Sequence, residues 1–212
     1  SYGMVELPNG KMKSREGTVV DADDLMDEMV KTAKSVSEEL GKAHGLSEEE
    51  SNRLYDMIGI GALKYFILKV DPKKTMLFDP KESIDFNGNT ASFIQYTHAR
   101  ISSVIRKAAD NGITFGADIP VTDLQPKEKM LLVNIYNWPS VLEQAAINRS
   151  PAMIANYIYD LAKDFNHFYQ ECSIMKEEDV NRREFRLQLA DMTAKLLRNA
   201  SGLLGISMPD KM

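Results

Sequence analysis

The run from Gly88 to Lys107 constrains this chain more than any other stretch, because it forms one helix with two different long faces. At about 100° per residue, Ile94, His98, Ile101, Ile105 and Ala108 make a narrow apolar stripe suited to a core. Phe93, Tyr96, Arg100, Ser103 and Lys107 fall on the opposite side, where water is normally met by carboxylates and lysines. Rings interleaved with cations at helical spacing suit a partner that offers stackable bases and phosphates. A helix buried on both sides accounts for the same letters, since exposed aromatic side chains are uncommon.

The rest of the chain reads as mostly helical. Leu25, Met29, Val36 and Leu40 give a helical stripe that stops at Gly41. Ser47 with Glu50 is a capping-box pattern for the next helix. Gly59 and Gly61 interrupt or tighten that helix on its way to Leu68. Residues 71–85 read as an irregular connection with a short extended piece at 75–78. The central helix, starting near Asn89, ends near Gly112. A looser stretch precedes a helix at 127–137, which Trp138-Pro139 breaks, and another helix runs on to Asn148. Ser150-Pro151 supplies a capping hydroxyl and a proline at the first helical position. Ile154, Ile158, Leu161, Phe165 and Phe168 then follow as a packing seam. A last helix spans 182–204, and Trp138 is read as a packing anchor.

With 212 residues the chain is long enough for one large or two small domains. No apolar run nears the roughly 20 residues that span a bilayer, and no secretory leader is evident. The chain starts with Ser1, and no strand or helix is expected before the loop at 10–17. It therefore reads as the C-terminal piece of a longer polypeptide. Cys172 is the single cysteine, which excludes an internal disulfide and a cysteine-cluster zinc site and fits a reducing cytosolic setting. A net charge of −5 argues against a general nucleic-acid sponge. The charge is partitioned, however. Arg100, Arg106 and Lys107 sit in 95–109 without an acid. Arg182, Arg183, Arg186, Lys195 and Arg198 outnumber Glu184 and Asp191 in 182–198.

Three separated motifs carry a resemblance. Asp85-Phe86-Asn87-Gly88-Asn89-Thr90-Ala91, followed by Gln95-Tyr96-x-His98-Ala99-Arg100-Ile101, resembles the start of the anticodon-binding helical domain of arginyl-tRNA synthetases. Gly10-Lys11-Met12-Lys13-Ser14-Arg15-Glu16-Gly17 looks like the class I Lys-Met-Ser-Lys-Ser loop, with Lys13 where serine often stands. Arg186-Leu187-x-Leu189 and Gly202-Leu203-Leu204-Gly205-Ile206-x-x-Pro209-x-x-Met212 are similar to that family's closing helix and terminus. The resemblance implies an all-α chain: a catalytic-domain loop at 1–20, a helical connector at 21–88 and an anticodon-binding bundle at 89–212. The implied parent joins L-arginine to tRNA(Arg) through an arginyl-adenylate, using ATP with Mg2+. The implied partners are tRNA(Arg) and the N-terminal catalytic domain of the same polypeptide. A cytoplasmic monomer without a membrane association is expected. The His-x-Gly-His element of class I active sites is absent, so the chain alone is expected to bind tRNA and not to catalyse. A helical appendix of a cysteinyl or methionyl enzyme, and a helical protein-interaction module, are the rival readings.

The site residues follow from both lines of argument. A glycine-punctuated loop with several cations suits closure over a triphosphate. On the resemblance, Lys11, Lys13, Ser14 and Arg15 contact the ATP phosphates. Gln95, Tyr96, Arg100, Lys107, Tyr157, Asn166, Arg186 and Met212 are the candidates for tRNA contact, and no metal site is expected. By face, Tyr96 and Arg100 are favoured, while Gln95 lies at the edge, within reach of a base or a neighbouring helix. His98 is read as a core histidine with a satisfied hydrogen bond. Arg182, Arg183 and Arg186 either hold RNA phosphates or solvate a helix start. Met212 is placed near the anticodon by the resemblance, the alternative being a disordered tail.

Overall fold

The computed structural model describes residues 3–6, 21–42, 44–116, 119 and 123–212. In chain order the elements are β1 (Val5–Glu6), α1 (Ala22–Glu39), α2 (Glu48–Leu68), β2 (Met76–Leu77) and α3 (Pro80–Ser83). There follow α4 (Ala91–Asp110), α5 (Pro126–Tyr136), α6 (Trp138–Asn148), α7 (Pro151–Glu171) and α8 (Val180–Leu203). The fold is all-α as expected. The one sheet among the described residues is the parallel pairing of Val5 with Met76 and Glu6 with Leu77. The extended piece at 75–78 is thus a two-residue strand. Its partner β1 precedes the loop at 10–17, where no element was expected; two-residue pairings leave no periodicity to read.

Helix ends follow local chemistry. The Asp21 carboxylate caps α1 by accepting from the Asp23 amide at 3.0 Å. At its other end Gly41 adopts φ +63°, and the Lys42 amide donates back to the Ser37 carbonyl at 2.8 Å. That pattern closes a helix with a glycine in the left-handed region. The capping box of α2 is present in both directions, Glu50 N–H to Ser47 Oγ at 3.2 Å and Ser47 N–H to Glu50 Oε2 at 2.9 Å. The short α3 lies where an irregular connection was expected. The Asp79 carboxylate accepts from the Lys81 and Glu82 amides, and Pro80 fills the first turn. Ser150 stands at the start of α7 but makes no side-chain cap bond. Instead its backbone carbonyl accepts from the Met153 amide at 3.2 Å.

Neither glycine breaks α2. A β-carbon at Gly59 would lie 2.8 Å from the Met29 carbonyl oxygen and the Val30 nitrogen. Glycine is there because α1 presses directly on the α2 backbone. At Gly61 a β-carbon would lie 2.8 Å from the Gln95 side-chain nitrogen, so α4 approaches just as closely on another side.

Two apolar clusters result. One, beneath α1 and α2, holds Met29, Ile58, Phe78, Ile84 and Phe86. The larger one joins α4, α7 and α8, with Ile94, Ile101, Ile158, Leu161, Phe165, Phe168, Leu187 and Leu197 fully buried. The α7 seam is therefore core along its whole length. Trp138 packs on Tyr157 with ring centroids 5.1 Å apart, an anchor at the α5–α6 corner. Tyr96 and Met212 pack on the smaller cluster from the α4 side, where the two clusters meet.

Gly59→Ala is expected to destabilise by about 1–3 kcal/mol through overpacking, outweighing the roughly 1 kcal/mol gained in helix propensity. Gly116→Ala, with open space around it, should stay within about 0.5 kcal/mol of the parent. Chemical denaturation of the two variants measures the contrast; an unchanged midpoint for Gly59→Ala would refute the tight α1–α2 contact.

Candidate nucleic-acid interface

Packing encloses most of α4. Ile94, Gln95, Thr97, His98, Ala99 and Ile101 are all buried. Phe93, expected on the outward face, is half-buried with its ring 5.5 Å from Tyr159. The strip Tyr96, Arg100, Ser103 and Lys107 keeps an edge to solvent, Tyr96 and Arg100 half-buried and Ser103 and Lys107 exposed. With Tyr169 from α7 and Met212 from the tail, this strip lines a groove of about 230 Å³. Through Val104, Lys107 and Tyr169 the groove adjoins a larger hollow of about 810 Å³ that also takes in Asn111, Ser173 and Lys176. Both readings of the helix therefore hold in part: buried around most of its girth, open along one cationic, aromatic line.

The groove is held in shape by buried groups. The Arg100 guanidinium carbon lies 4.8 Å from the Tyr96 ring centroid and 5.8 Å from that of Tyr169. Asn166 Oδ1 accepts from Arg100 Nη1. The Asn166 amide in turn donates to Thr97 Oγ1 at 2.8 Å and the Ala162 carbonyl at 2.9 Å. Asn166 thus fixes where the guanidinium points. Tyr169 is stacked on Phe165 at 5.9 Å, which holds its ring at the groove wall. The Tyr96 phenol is pulled below its ordinary pKa, first by the hydrogen bond with Arg100, then by the charges of Lys42 and Arg100, against the effect of burial. Rings locked beside unneutralised cations form a surface on which bases stack and phosphates bind.

Four of the eight candidates for tRNA contact are enclosed by the fold, Gln95 by taking the neighbouring-helix alternative. Gln95 is fully buried, its Nε2 donating at 2.9 Å to both the Met57 and Ser207 carbonyls. Tyr157 is buried against Trp138 and donates to the Asn134 carbonyl at 2.9 Å; burial pushes its phenol pKa up. Asn166 is buried as described. Arg186 lies 2.6 Å from Glu128 Oε1 and 2.7 Å from Glu177 Oε2, and donates to the Ser173 carbonyl at 2.6 Å. A guanidinium 2% exposed and paired with two carboxylates is committed to the fold. Its neighbours donate to backbone, Arg182 to Asp123 and Arg183 to Glu177. In this structure the open candidates are Tyr96, Arg100, Lys107 and Met212. Lys11, Lys13, Ser14 and Arg15 lie outside the described residues.

The tail is ordered, contrary to the disordered alternative. Lys64 donates to the Gly205 carbonyl at 2.6 Å, Gln95 to Ser207, and Arg106 to the Asp210 carbonyl at 2.9 Å. His98 Nδ1 lies 2.8 Å from the Pro209 carbonyl oxygen. A carbonyl only accepts, so that bond requires the proton on Nδ1. Burial lowers the His98 pKa, which keeps the ring neutral. Arg198 and Asp210 close the tail with an ion pair. These bonds deliver Met212 to the groove wall.

Two contributors escaped the sequence reading. Tyr169 sits one turn beyond Phe165 of the α7 seam, and that spacing was the available signal. Lys42, whose Nζ lies 3.6 Å from the Tyr96 ring centroid, sits in a turn with no local pattern.

The bundle, with a ring-and-cation groove along one helix, is a helical module with a candidate nucleic-acid interface. Residues 94–212 match the DALR anticodon binding domain, and residues 1–79 match the catalytic domain of class I (R) tRNA synthetases. The chain belongs to the DALR anticodon-binding domain family. Over its full length it is 58% identical to the arginine–tRNA ligase of Flavobacterium psychrophilum and 57% identical to that of Bacteroides thetaiotaomicron. It covers 35% and 36% of those proteins, so it spans about a third of the length of the curated relatives it matches. Thermus thermophilus arginyl-tRNA synthetase superposes on all of the chain with a TM-score of 0.88 at 28% identity, across 35% of its own length. The likeness to arginyl-tRNA synthetases read from three motifs is borne out.

The Arg198 and Asp210 side chains are 52% and 61% exposed, so their pair contributes at most about 1 kcal/mol. Asp210→Ala should therefore leave stability nearly unchanged, whereas His98→Ala, losing a buried bond, should cost about 1–3 kcal/mol. Denaturant unfolding, with amide exchange across 204–212, reads both. Equal losses would show that the exposed ion pair secures the tail as much as the buried bond does.

Proposed function

We propose that this chain is the tRNA-binding portion of an arginine–tRNA ligase and that the groove on α4 receives the anticodon loop of tRNA(Arg). The observation that carries the reading is the convergence of Tyr96, Arg100, Lys107, Tyr169 and Met212, from two helices and the tail, on one open wall. A base stacks on the tyrosines, and Arg100 and Lys107 meet the phosphates that flank it. The parent enzyme attaches L-arginine to tRNA(Arg) through an arginyl-adenylate, with ATP and Mg2+ as its other reactants. In that enzyme Lys11, Lys13, Ser14 and Arg15 close over the ATP phosphates. Residues 1–20 complete the catalytic domain, 21–88 connect it, and 89–212 bind the anticodon arm. The parent works as a cytoplasmic monomer.

Titration of the chain with a tRNA(Arg) anticodon stem-loop at several salt concentrations tests the proposal. Binding should weaken steeply with salt. Tyr96→Leu should cost about 1–3 kcal/mol, roughly 5- to 150-fold in Kd, by loss of stacking. Arg100→Ala should weaken binding as well and flatten the salt dependence. Binding that ignores both substitutions would place the RNA elsewhere, and no binding at low salt would end the proposal.

A further inference from the structure

The α1–α2 turn brings one more cation to the Tyr96 ring, which forms one wall of this groove. Closure of α1 at Gly41 fixes the Lys42 backbone, whose N–H donates a hydrogen bond to the Ser37 carbonyl at 2.8 Å. From there the side chain crosses to the α4 side. Its Nζ lies 3.6 Å from the Tyr96 ring centroid and 5.4 Å from that of Phe86. Phe86 stands edge-on to Tyr96 at 6.3 Å and props that ring in place. Two arginines near the tail and the α8 start are paired with carboxylates, Arg198 with Asp210 and Arg186 with Glu128 and Glu177, while Arg106 donates to the Asp210 carbonyl. Lys42 forms no ion pair among the described residues; its partners are the two ring faces and the Tyr96 phenol, none of them a carboxylate. Its charge is therefore free to attract an anion, and a half-buried ammonium on a four-carbon stem reaches one without moving the backbone.

We infer that Lys42 is an RNA-binding residue of the groove, holding the phosphate next to the base that stacks on Tyr96. The inference rests on the proposed anticodon-loop reading and extends it to a residue outside the stretch 94–212 that matches the anticodon-binding family. Lys42 lies in the stretch 1–79, which matches the catalytic-domain family. One wall of the RNA site is thus supplied from across the junction between the two matches. The competing role is a staple: an ammonium that holds the α1–α2 turn against Tyr96 and has no dealings with RNA.

Salt titration separates the two. Lys42→Met keeps the length of the side chain and removes its charge; Lys42→Arg keeps the charge. For one lost phosphate contact, the slope of log K against log salt should become shallower by about 0.7–0.9. The affinity gap between parent and variant should then shrink about threefold between 50 and 200 mM salt. Lys42→Arg should restore the parental slope, and the loss should be similar for a stem-loop with a scrambled loop sequence, because phosphates carry no sequence. Lys42→Gln, measured alongside, guards against a folding defect peculiar to methionine. A parental slope in Lys42→Met and Lys42→Gln, with or without a lower unfolding midpoint, overturns the inference in favour of the staple. If the parent chain binds no stem-loop, the anticodon-loop reading itself fails and this inference falls with it. If the parent binds, depends on Tyr96 and ignores Lys42, only the inference fails.

Discussion

The Gln95 side chain is the bond on which the arrangement turns. From inside α4 its one amide nitrogen donates to the Met57 carbonyl of α2 and to the Ser207 carbonyl of the tail, both at 2.9 Å. A fully buried donor is costly to leave unpaired, so this fork demands both partners at once. It also sets how closely α2 approaches, which is why residue 61 has no side chain. One amide thereby registers α2, α4 and the tail against one another. Every wall of the groove descends from an element tied at that point or packed next to it.

The groove shows how a mostly buried helix can still offer fixed groups to a ligand. Arg100 is aimed by Asn166, which is itself held by Thr97 and the Ala162 carbonyl. Tyr169 is backed by Phe165, and Tyr96 by Phe86. The groups offered to a ligand are therefore fixed before it arrives, and less conformational freedom is lost on binding. Motif residues that look like binding groups act one layer further in. Asn166 and Gln95 contribute by fixing the position of their neighbours.

Much of this was legible from the letters because it was local. The capping box at Ser47 and Glu50, the stop at Gly41, the break at Trp138 and the α7 seam depend on residues within a few positions of one another. The choice of Tyr96, Arg100 and Lys107 as the outward line also came from helical spacing alone. The candidates that packing encloses share a different cause. A helical wheel tells which residues share a face, not what covers that face. Gln95 is covered by α2 and the tail, Tyr157 by Trp138, and Arg186 by Glu128 from 58 positions away. Lys42 was invisible for the same reason: its significance lies in a ring that belongs to another helix. The strand at Val5–Glu6 and the helix at Pro80–Ser83 were too short to leave a period.

The lone tryptophan has a use that follows from where it packs. Trp138 lies against Tyr157 at the α5–α6 corner, and the hollow it lines shares no residue with the groove. Its fluorescence is a native gauge of bundle integrity that a ligand seated on Tyr96 does not touch directly. Emission and anisotropy can then be followed in one cuvette, the indole reporting on the scaffold while a labelled hairpin reports on occupancy.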